Sequence, residues 1–232
     1  MRSIDDNLQA VRQRINRAAQ AAGRDPRSVT LLAVSKTHSA DLVGRALAAG
    51  QRAFGENYVQ EALEKMDVLQ GKPAGKSIEW HLIGPLQNNK TRLVAGRFDW
   101  VHTIDNEKVA RRLSDQRPAG LAPLNVLIQV NASAEVSKSG AAPGSVAALA
   151  AAVSALPRLQ LRGLMAIPEP GAHADRYREL KSLYEGLKSK FGFDTLSLGM
   201  SDDLELAIAE GATMVRIGTA IFGAREKIRP AA

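Results

Sequence analysis

Residues 31–38 read Leu-Leu-Ala-Val-Ser-Lys-Thr-His, four apolar residues that run directly into a polar end. A short continuous apolar run is typical of a strand that is buried on both faces of a parallel sheet. Lys36 would then stand at the carboxyl end of that strand, beside an apolar core. Loss of solvation lowers the pKa of a lysine, and a neutral amine attacks carbonyl carbons, so Lys36 is a candidate Schiff-base former. Taken alone, the segment fits a solvated loop lysine better.

The same unit, an apolar strand followed by a helix, recurs along the chain. Apolar runs predict strands at residues 30–35, 52–55, 78–83, 99–104, 124–130, 159–166, 194–198 and 213–217. Each precedes a segment with apolar residues at three- and four-residue spacing, which predicts a helix, and an extra amphipathic helix is predicted at residues 3–22. Eight parallel strands with helical crossovers fit a closed (β/α)8 TIM barrel. An open doubly wound sheet is the alternative, but the chain contains no Gly-x-Gly dinucleotide fingerprint. No break in composition divides residues 1–232, so one domain is predicted.

Capping residues mark several predicted helix starts. The second helix of the chain is predicted to begin near Ser39, and Asp105, which precedes the fifth helix, suits the N-cap position. Pro143 is predicted to open the sixth helix, where its missing N–H is tolerated. A later helix is predicted to begin at Ser201, with acidic residues in its first turn.

Composition excludes several classes of function. The chain has 232 residues, 45% of them hydrophobic, and no cysteine, so disulfides and thiolate chemistry are not available and a reducing cytoplasm fits. The N-terminus lacks the pattern of a signal peptide, and no apolar run approaches the roughly 20 residues of a membrane span. The histidines, at positions 38, 81, 102 and 173, lack the spacing of metal ligands, so no metal site is predicted.

The formal net charge of +7 raises the question of nucleic-acid binding. The basic residues are scattered, and only five Phe, two Trp and three Tyr are available for stacking on bases. Arg12, Arg14 and Arg17 lie mostly off the apolar stripe of the first helix and are interpreted as a solvated face. A solvated basic surface is therefore predicted, and its field would favour an anionic small ligand.

A phosphate site is predicted where the last two strands end. In (β/α)8 barrels the loops after strands seven and eight often bind phosphate, and residues 197–201 (Ser-Leu-Gly-Met-Ser) and Gly218-Thr219 supply glycine backbone and hydroxyl groups there. The alternative interpretation is that Ser201 only caps its helix. Strand one neighbours strand eight in a closed barrel, so Lys36 would share this mouth. A carbonyl ligand carrying a phosphate suits both groups, and sugar phosphates and pyridoxal 5′-phosphate (PLP) both qualify.

Arg216 bears on the choice between those ligands. It lies two residues before Gly218 in the last strand, so its side chain is predicted to point toward the barrel axis. A guanidinium group only donates hydrogen bonds. Facing a pyridine nitrogen, it would donate a hydrogen bond without passing on a proton, and a cofactor held in this way is a poor electron sink. The alternative is an arginine paired with a carboxylate in the core.

Seven motifs, in order between about Leu31 and Arg225, resemble the pyridoxal phosphate homeostasis proteins, a PLP-binding family similar to the barrel domain of alanine racemase. They are Val34-Ser35-Lys36-Thr37, Phe54-Gly55-Glu56-Asn57-Tyr58, residues 81–90 (HLIGPLQNNK), Gln129-Val130-Asn131, residues 162–168 (RGLMAIP), residues 197–202 (SLGMSD) and residues 215–223 (VRIGTAIFG). Leu198 stands where the family often has methionine, which preserves apolar character.

The resemblance implies a fold-type III PLP barrel without the C-terminal β-domain, and it implies roles for individual residues. Lys36 would form the internal aldimine with PLP, and Arg216 would face the pyridine nitrogen. The phosphate would be held by Ser201, Gly218 and Thr219. Positions near the ring would be occupied by Asn57, His81 and Met165.

Two of these residues keep an alternative interpretation. His81 lies inside a predicted strand and equally suits a packed core histidine. Lys138 follows the fifth strand at the same rim and would be a second amine for the cofactor, although a solvated loop lysine fits better.

The resemblance implies a carrier rather than an enzyme. A racemase needs an acid/base group on each face of the substrate carbon. In racemases of this fold a tyrosine from an added domain serves the second face, and the tyrosines of this chain (Tyr58, Tyr177 and Tyr184) lie elsewhere in the sequence. We therefore expect a monomeric cytoplasmic protein that buffers PLP, delivers it to PLP-dependent apoenzymes and affects amino-acid and keto-acid balance. A small PLP-dependent racemase and a Schiff-base aldolase on sugar phosphates are the competing hypotheses.

Overall fold

The structure, a computed structural model, describes residues 3–71, 75, 77–133 and 139–224. Lys138 therefore lies outside the described residues. The described strands are β1 Thr30–Val34, β2 Ala53–Glu56, β3 Glu79–Leu82, β4 Trp100–Ile104, β5 Leu124–Val130, β6 Leu159–Ala166, β7 Thr195–Ser197 and β8 Met214–Ile217. The described α-helices are α1 Ile4–Ala21, α2 Ala40–Ala48, α3 Val59–Gln70, α4 Thr91–Arg97, α5 Glu107–Gln116, α6 Val146–Ser154, α7 Ala174–Phe191, α8 Leu204–Ala209 and α9 Thr219–Phe222.

The eight strands close into a barrel in sequential order. Every neighbouring pair is parallel, and β1 closes the barrel against β8 with Leu32 opposite Arg216 and Ala33 opposite Ile217. The predicted (β/α)8 barrel with an additional N-terminal helix is thus confirmed, and the open-sheet alternative is wrong. Because all strands run in one direction, their carboxyl ends share one mouth, which is where such barrels carry their sites.

The two faces of the barrel sheet are packed separately. Inside the barrel, Leu32, Val34, Ala53, Ile83 and Met214 form one buried cluster, and a second contains Trp100, Leu127 and Met165. The large core lies between the sheet and the surrounding helices. This division follows from strand geometry, because alternate side chains of a barrel strand point inward and outward.

A glycine lets β6 and β7 approach each other closely. Gly163 has φ +150°, and a Cβ atom at this position would lie 1.9 Å from the Thr195 carbonyl oxygen. The β5–β6 register also shifts next to it, between Val126 and Leu127. Only glycine fits this backbone conformation and spacing.

Several helix starts differ from the sequence-based prediction. Helix α2 begins at Ala40, next to the predicted start near Ser39, and the Ser39 side chain caps it by accepting from the Leu42 N–H at 3.4 Å. Asn106 rather than Asp105 caps α5, since the Asn106 side chain accepts from the Val109 N–H. A 3-10 turn over residues 143–145 precedes α6, and another over residues 88–90 precedes α4.

Candidate functional site

A cavity of about 550 Å³ opens at the carboxyl ends of the strands and is lined by residues at or just after the ends of β1, β2, β3, β6, β7 and β8. It brings together six residues singled out from the sequence, namely Lys36, Asn57, Ser201, Arg216, Gly218 and Thr219. These residues lie at the ends of β1, β2, β7 and β8. Because the barrel is closed, β1 and β8 are neighbours, so residues from the two ends of the chain meet at the same cavity. An amine, a guanidinium group and two hydroxyl groups therefore face one space.

The turn between β7 and α8 forms one wall of the cavity. Ser201 lies in this turn, and α8 begins only at Leu204, so the prediction that Ser201 begins the helix was wrong. Asp203 stabilises the turn: its carboxylate accepts from the Met200 N–H at 2.6 Å and from the Tyr177 hydroxyl. Ser201 is thus held by the turn and not by helix capping.

Arg14 braces the same turn from α1. Its guanidinium donates to the Ser201 carbonyl oxygen at 3.1 Å and to the Glu205 carboxylate at 2.9 Å, and the side chain lines the cavity. The interpretation of Arg14 as part of a solvated face was therefore wrong. A sequence pattern locates this residue off the apolar stripe of its helix, but it does not indicate that the turn before α8 lies beside it.

The opposite wall is formed where β8 meets α9. A Cβ atom on Gly218 would lie 3.1 Å from the Val34 carbonyl oxygen, so a side chain at this position would press against β1. Gly218 caps α9 and Thr219 begins it. The first N–H groups of a helix have no partner within the helix, so this wall offers N–H donors next to the Thr219 hydroxyl.

Arg216 lies at the base of the cavity with only 5% of its surface exposed. Its guanidinium donates to the Ser197 carbonyl oxygen at 2.7 Å, to the Ser197 hydroxyl at 2.8 Å and to the Ala166 carbonyl oxygen at 2.9 Å. Within the described residues these bonds hold it across β6 and β7, so the alternative of a core ion pair with a carboxylate was wrong. Burial lowers the pKa of Arg216 to about 10, so the group stays protonated at neutral pH.

Lys36 follows β1 and is half-buried at the cavity wall. The residue after it, Thr37, has φ +64°, a left-handed conformation that is unusual for a residue other than glycine. The Thr37 N–H donates to the Glu61 carboxylate at 2.6 Å, and its hydroxyl donates to the Lys36 carbonyl oxygen at 2.6 Å. The backbone around Lys36 is therefore fixed by side chains.

A buried ion cluster on β2 and α3 supports the same segment. The Lys65 ammonium lies 2.7 Å from the Glu56 carboxylate and 2.6 Å from that of Glu61, and it donates to the Ser35 carbonyl oxygen at 2.7 Å. Burial raises the pKa of Glu56, an effect that Lys65 opposes. Sequence reasoning missed this cluster. Its available signals were a glutamate inside an apolar strand and a Glu61–Lys65 pair at i,i+4 spacing with Lys65 on the apolar face of α3.

The structure does not bring His81 or Met165 to the cavity lining. His81 is fully buried, bonded through Nε2 to Glu79 at 2.8 Å and through Nδ1 to His102 Nε2 at 2.9 Å, and its ring stacks on Trp100. Burial lowers the pKa of His81, so the imidazole is neutral at neutral pH. Met165 packs with Trp100 in the barrel interior. Both residues lie in a layer beneath the mouth. For His81, this position fits the alternative interpretation of a packed core histidine.

A second lobe of about 450 Å³ adjoins the cavity and shares Asn57, Ile83 and Ile167 with it. The Oδ1 atom of Asn57 is buried and has no hydrogen-bond partner among the described residues. A buried polar atom without a partner is costly, so this position suits a ligand that carries a hydrogen-bond donor.

The described part of the chain lacks two other kinds of feature. No group of three or more histidine or acidic side chains there has the arrangement of a metal site. No described helix is both long enough and apolar enough to cross a membrane.

Comparison with known proteins gives concordant matches. The family model for the N-terminal domain of alanine racemase matches residues 7–226. The pyridoxal phosphate homeostasis protein of Pseudomonas aeruginosa is 59% identical over 233 residues, covering 100% of both chains, and that of Escherichia coli K12 is 57% identical over 231 residues, covering 97% of this chain and 98% of the relative. The structure of PipY from Synechococcus elongatus with PLP bound superimposes with a TM-score of 0.81 at 35% identity, covering 95% of this chain and 100% of PipY.

Proposed function

The chain belongs to the pyridoxal phosphate homeostasis proteins, and on that premise we propose that it binds PLP in the cavity around Lys36 and holds it for intracellular vitamin B6 homeostasis. The observation that carries the proposal is the convergence of Lys36, Arg216 and the Ser201 and Thr219 hydroxyl groups on one cavity. PLP carries an aldehyde, a ring nitrogen and a phosphate among its polar groups. The site offers a matching group for each of them.

The residues present fit the cofactor at both ends. The phosphate end would be held by Ser201, Gly218 and Thr219, whose hydroxyl and N–H groups are donors suited to an anion. Lys36 would bond to the aldehyde carbon as a Schiff base. Asn57 would accept a hydrogen bond from the ligand through Oδ1, which has no partner among the described residues.

Arg216 supports a carrier more than an enzyme. Bound PLP supplies an electron sink when its ring nitrogen is protonated. The guanidinium at the base of the cavity keeps its own proton at neutral pH, so it would donate a hydrogen bond to that nitrogen without transferring a proton. Carbanion chemistry on the cofactor would be weakened as a result.

The positions of the tyrosines support the same interpretation. A racemase needs a second acid/base group opposite the lysine. Tyr58 is 57% exposed, the Tyr177 hydroxyl donates to Asp203, and Tyr184 is buried against Phe193. In the described part of the chain, no tyrosine lines the cavity.

Transfer to an acceptor tests the carrier function. The PLP-loaded protein would be mixed with a PLP-dependent apoenzyme, and the return of that enzyme's activity compared with reactivation by the same concentration of free PLP. We expect reactivation by the loaded protein, and none by a Lys36→Ala variant that has been treated in the same way and desalted. Failure of the loaded protein to reactivate any of several apoenzymes would refute delivery.

The racemase-like alternative is tested by α-proton exchange. Purified, PLP-saturated protein would be incubated with amino acids in deuterated water, and α-deuterium incorporation followed by NMR. We expect no exchange above that given by free PLP. Clear turnover that depends on Lys36 would replace the carrier function with an enzymatic one.

A further inference from the structure

The backbone on both sides of Lys36 is bonded to one set of charged side chains. Before Lys36, the Ser35 carbonyl oxygen accepts from Lys65 at 2.7 Å, and the Ser35 hydroxyl donates to Glu56 at 2.6 Å. After Lys36, the Thr37 N–H donates to Glu61 at 2.6 Å. Contacts on both sides restrict the direction in which the Lys36 side chain leaves the backbone.

Lys65 joins these contacts into one unit. Its ammonium has three hydrogens, and it has three acceptors: the Ser35 carbonyl oxygen and the Glu56 and Glu61 carboxylates. Its side chain is only 6% exposed and that of Glu56 is fully buried. A buried ammonium with every hydrogen bonded has one favourable position, so the three charged groups act as a rigid support.

The left-handed conformation of Thr37 points to a functional reason for this support. A residue other than glycine with φ near +60° is strained, and such strain persists only where the surrounding structure imposes it. Here the Glu61 carboxylate holds the Thr37 N–H, and the Thr37 hydroxyl holds the Lys36 carbonyl oxygen. Strained backbone of this kind is concentrated at functional sites, and this one adjoins the amine that lines the cavity.

We infer that Glu56, Glu61 and Lys65 form a positioning cluster that holds the Lys36 amine in the direction required for covalent capture of an aldehyde ligand. The inference rests on the proposed function. Capture joins the Lys36 nitrogen to the aldehyde carbon as a C=N bond and releases the aldehyde oxygen, with both amine hydrogens, as water. The cluster does not touch the ligand in this account. It changes how often the amine lies within reach of the aldehyde carbon.

A comparison of two ligands separates positioning from simple structural support. PLP carries the aldehyde, and 4-deoxypyridoxine 5′-phosphate carries a methyl group in its place but keeps the ring and the phosphate. The ratio of their affinities, measured by equilibrium dialysis, gives the contribution of covalent capture. The apparent affinity for the aldehyde falls with the fraction of time that the amine is in the competent position, so Glu61→Ala is expected to lower this ratio by about ten- to a hundredfold. Its affinity for 4-deoxypyridoxine 5′-phosphate should stay within about twofold of the wild type, because ring and phosphate contacts are unchanged.

Two variants provide matched controls. Glu61→Gln keeps an acceptor oxygen for the Thr37 N–H and for Lys65, so most of the ratio should be recovered. Glu64→Ala removes the same charge from an exposed position on the same helix and should leave the ratio unchanged. Thermal melting of each unliganded variant establishes that it folds, and Glu61→Leu, which keeps the apolar stem of the side chain but offers no acceptor, takes the place of the alanine variant if that variant does not fold.

Each outcome has a distinct meaning. A Glu61→Ala protein that keeps the wild-type ratio overturns the inference, and so does one that loses affinity for both ligands equally, because the cavity and not the amine would then have changed. A wild-type protein that binds both ligands equally would overturn the proposed function itself, and with it the inference.

Discussion

Replacing Lys65 with methionine should destabilise the protein, and the effect should depend on pH. The change keeps most of the side-chain volume but removes the ammonium that Glu56 and Glu61 share. Removing one partner of a buried ion pair costs roughly 3–5 kcal/mol. Glu56 is fully buried, so its part of the pair falls in this class, whereas the Glu61 side chain is 28% exposed and is partly screened by water. At about 2–4 °C per kcal/mol for a domain of this size, the melting temperature should fall by about 6–20 °C at neutral pH.

The sign of the pH dependence follows from Glu56. Burial raises its pKa in the folded wild-type protein, and Lys65 is the main group that lowers it. Without Lys65 that pKa rises further. A carboxyl group with a raised folded pKa stabilises the folded state fully below its unfolded pKa, about 4.3 for glutamate, and loses that stabilisation as pH rises through the folded value. The difference between the variant and the wild type should therefore be large at pH 7 and should shrink as pH falls toward 4.

Urea denaturation at several pH values measures this difference directly. The double variant Lys65→Met/Glu56→Gln lacks the buried carboxyl group, so its difference from the wild type should vary much less with pH. A Lys65→Met variant that is destabilised by less than about 1 kcal/mol, or equally at all pH values, would refute the reasoning, because a buried uncompensated carboxylate would not then be the cause.

Three further substitutions have defined expected outcomes. Ser201→Ala should weaken PLP binding by about ten- to a hundredfold in equilibrium dialysis, since a hydrogen bond to a charged group contributes about 1.5–3 kcal/mol; unchanged affinity would remove Ser201 from the phosphate site. Arg216→Met should destabilise the unliganded protein, because two buried carbonyl oxygens lose their donor at about 1–3 kcal/mol each; an unchanged urea midpoint would contradict this. Gly163→Ala should prevent normal folding, since its Cβ atom would lie 1.9 Å from a β7 carbonyl oxygen, whereas Gly186→Ala in α7 should be neutral or stabilising in the same melting assay.

Sequence alone was sufficient for the barrel and for the residues at its mouth. Apolar runs alternating with helical periodicity fix the number and order of the strands, and parallel strands necessarily end on one side. Lys36 and Arg216 could therefore be assigned to the same cavity, although 180 residues separate them along the chain. The alternation of strand side chains also gave the inward direction of Arg216.

Depth within the barrel was not predictable in the same way. Alternation gives the side of the sheet on which a residue lies, and His81 does share the inward side with Ile83. Alternation does not give the layer, meaning the depth of a residue along the barrel axis. His81 lies one layer below the mouth, bonded to Glu79 and His102. Layer depends on strand stagger, which is a property of the closed barrel and not of one strand.

The positioning cluster was missed because it depends on tertiary contact. The i,i+4 spacing of Glu61 and Lys65 indicates only a pair within one helix, which by itself contributes little. Only the packing of α3 against the ends of β1 and β2 brings Lys65 to Glu56 and to the Ser35 carbonyl oxygen. A lysine on the apolar face of a helix, paired in this way, is the sequence signal that would identify such clusters.

The most direct test of the central claim is borohydride reduction of freshly purified, PLP-supplied protein, followed by intact and peptide mass spectrometry. We expect a pyridoxyl-phosphate adduct on the peptide that contains Lys36, and no adduct on the corresponding peptide of a Lys36→Ala protein. An unmodified Lys36 in wild-type protein that has been saturated with PLP would contradict the account, and the cavity would then have to be assigned to a phosphorylated ligand that is not held through this amine.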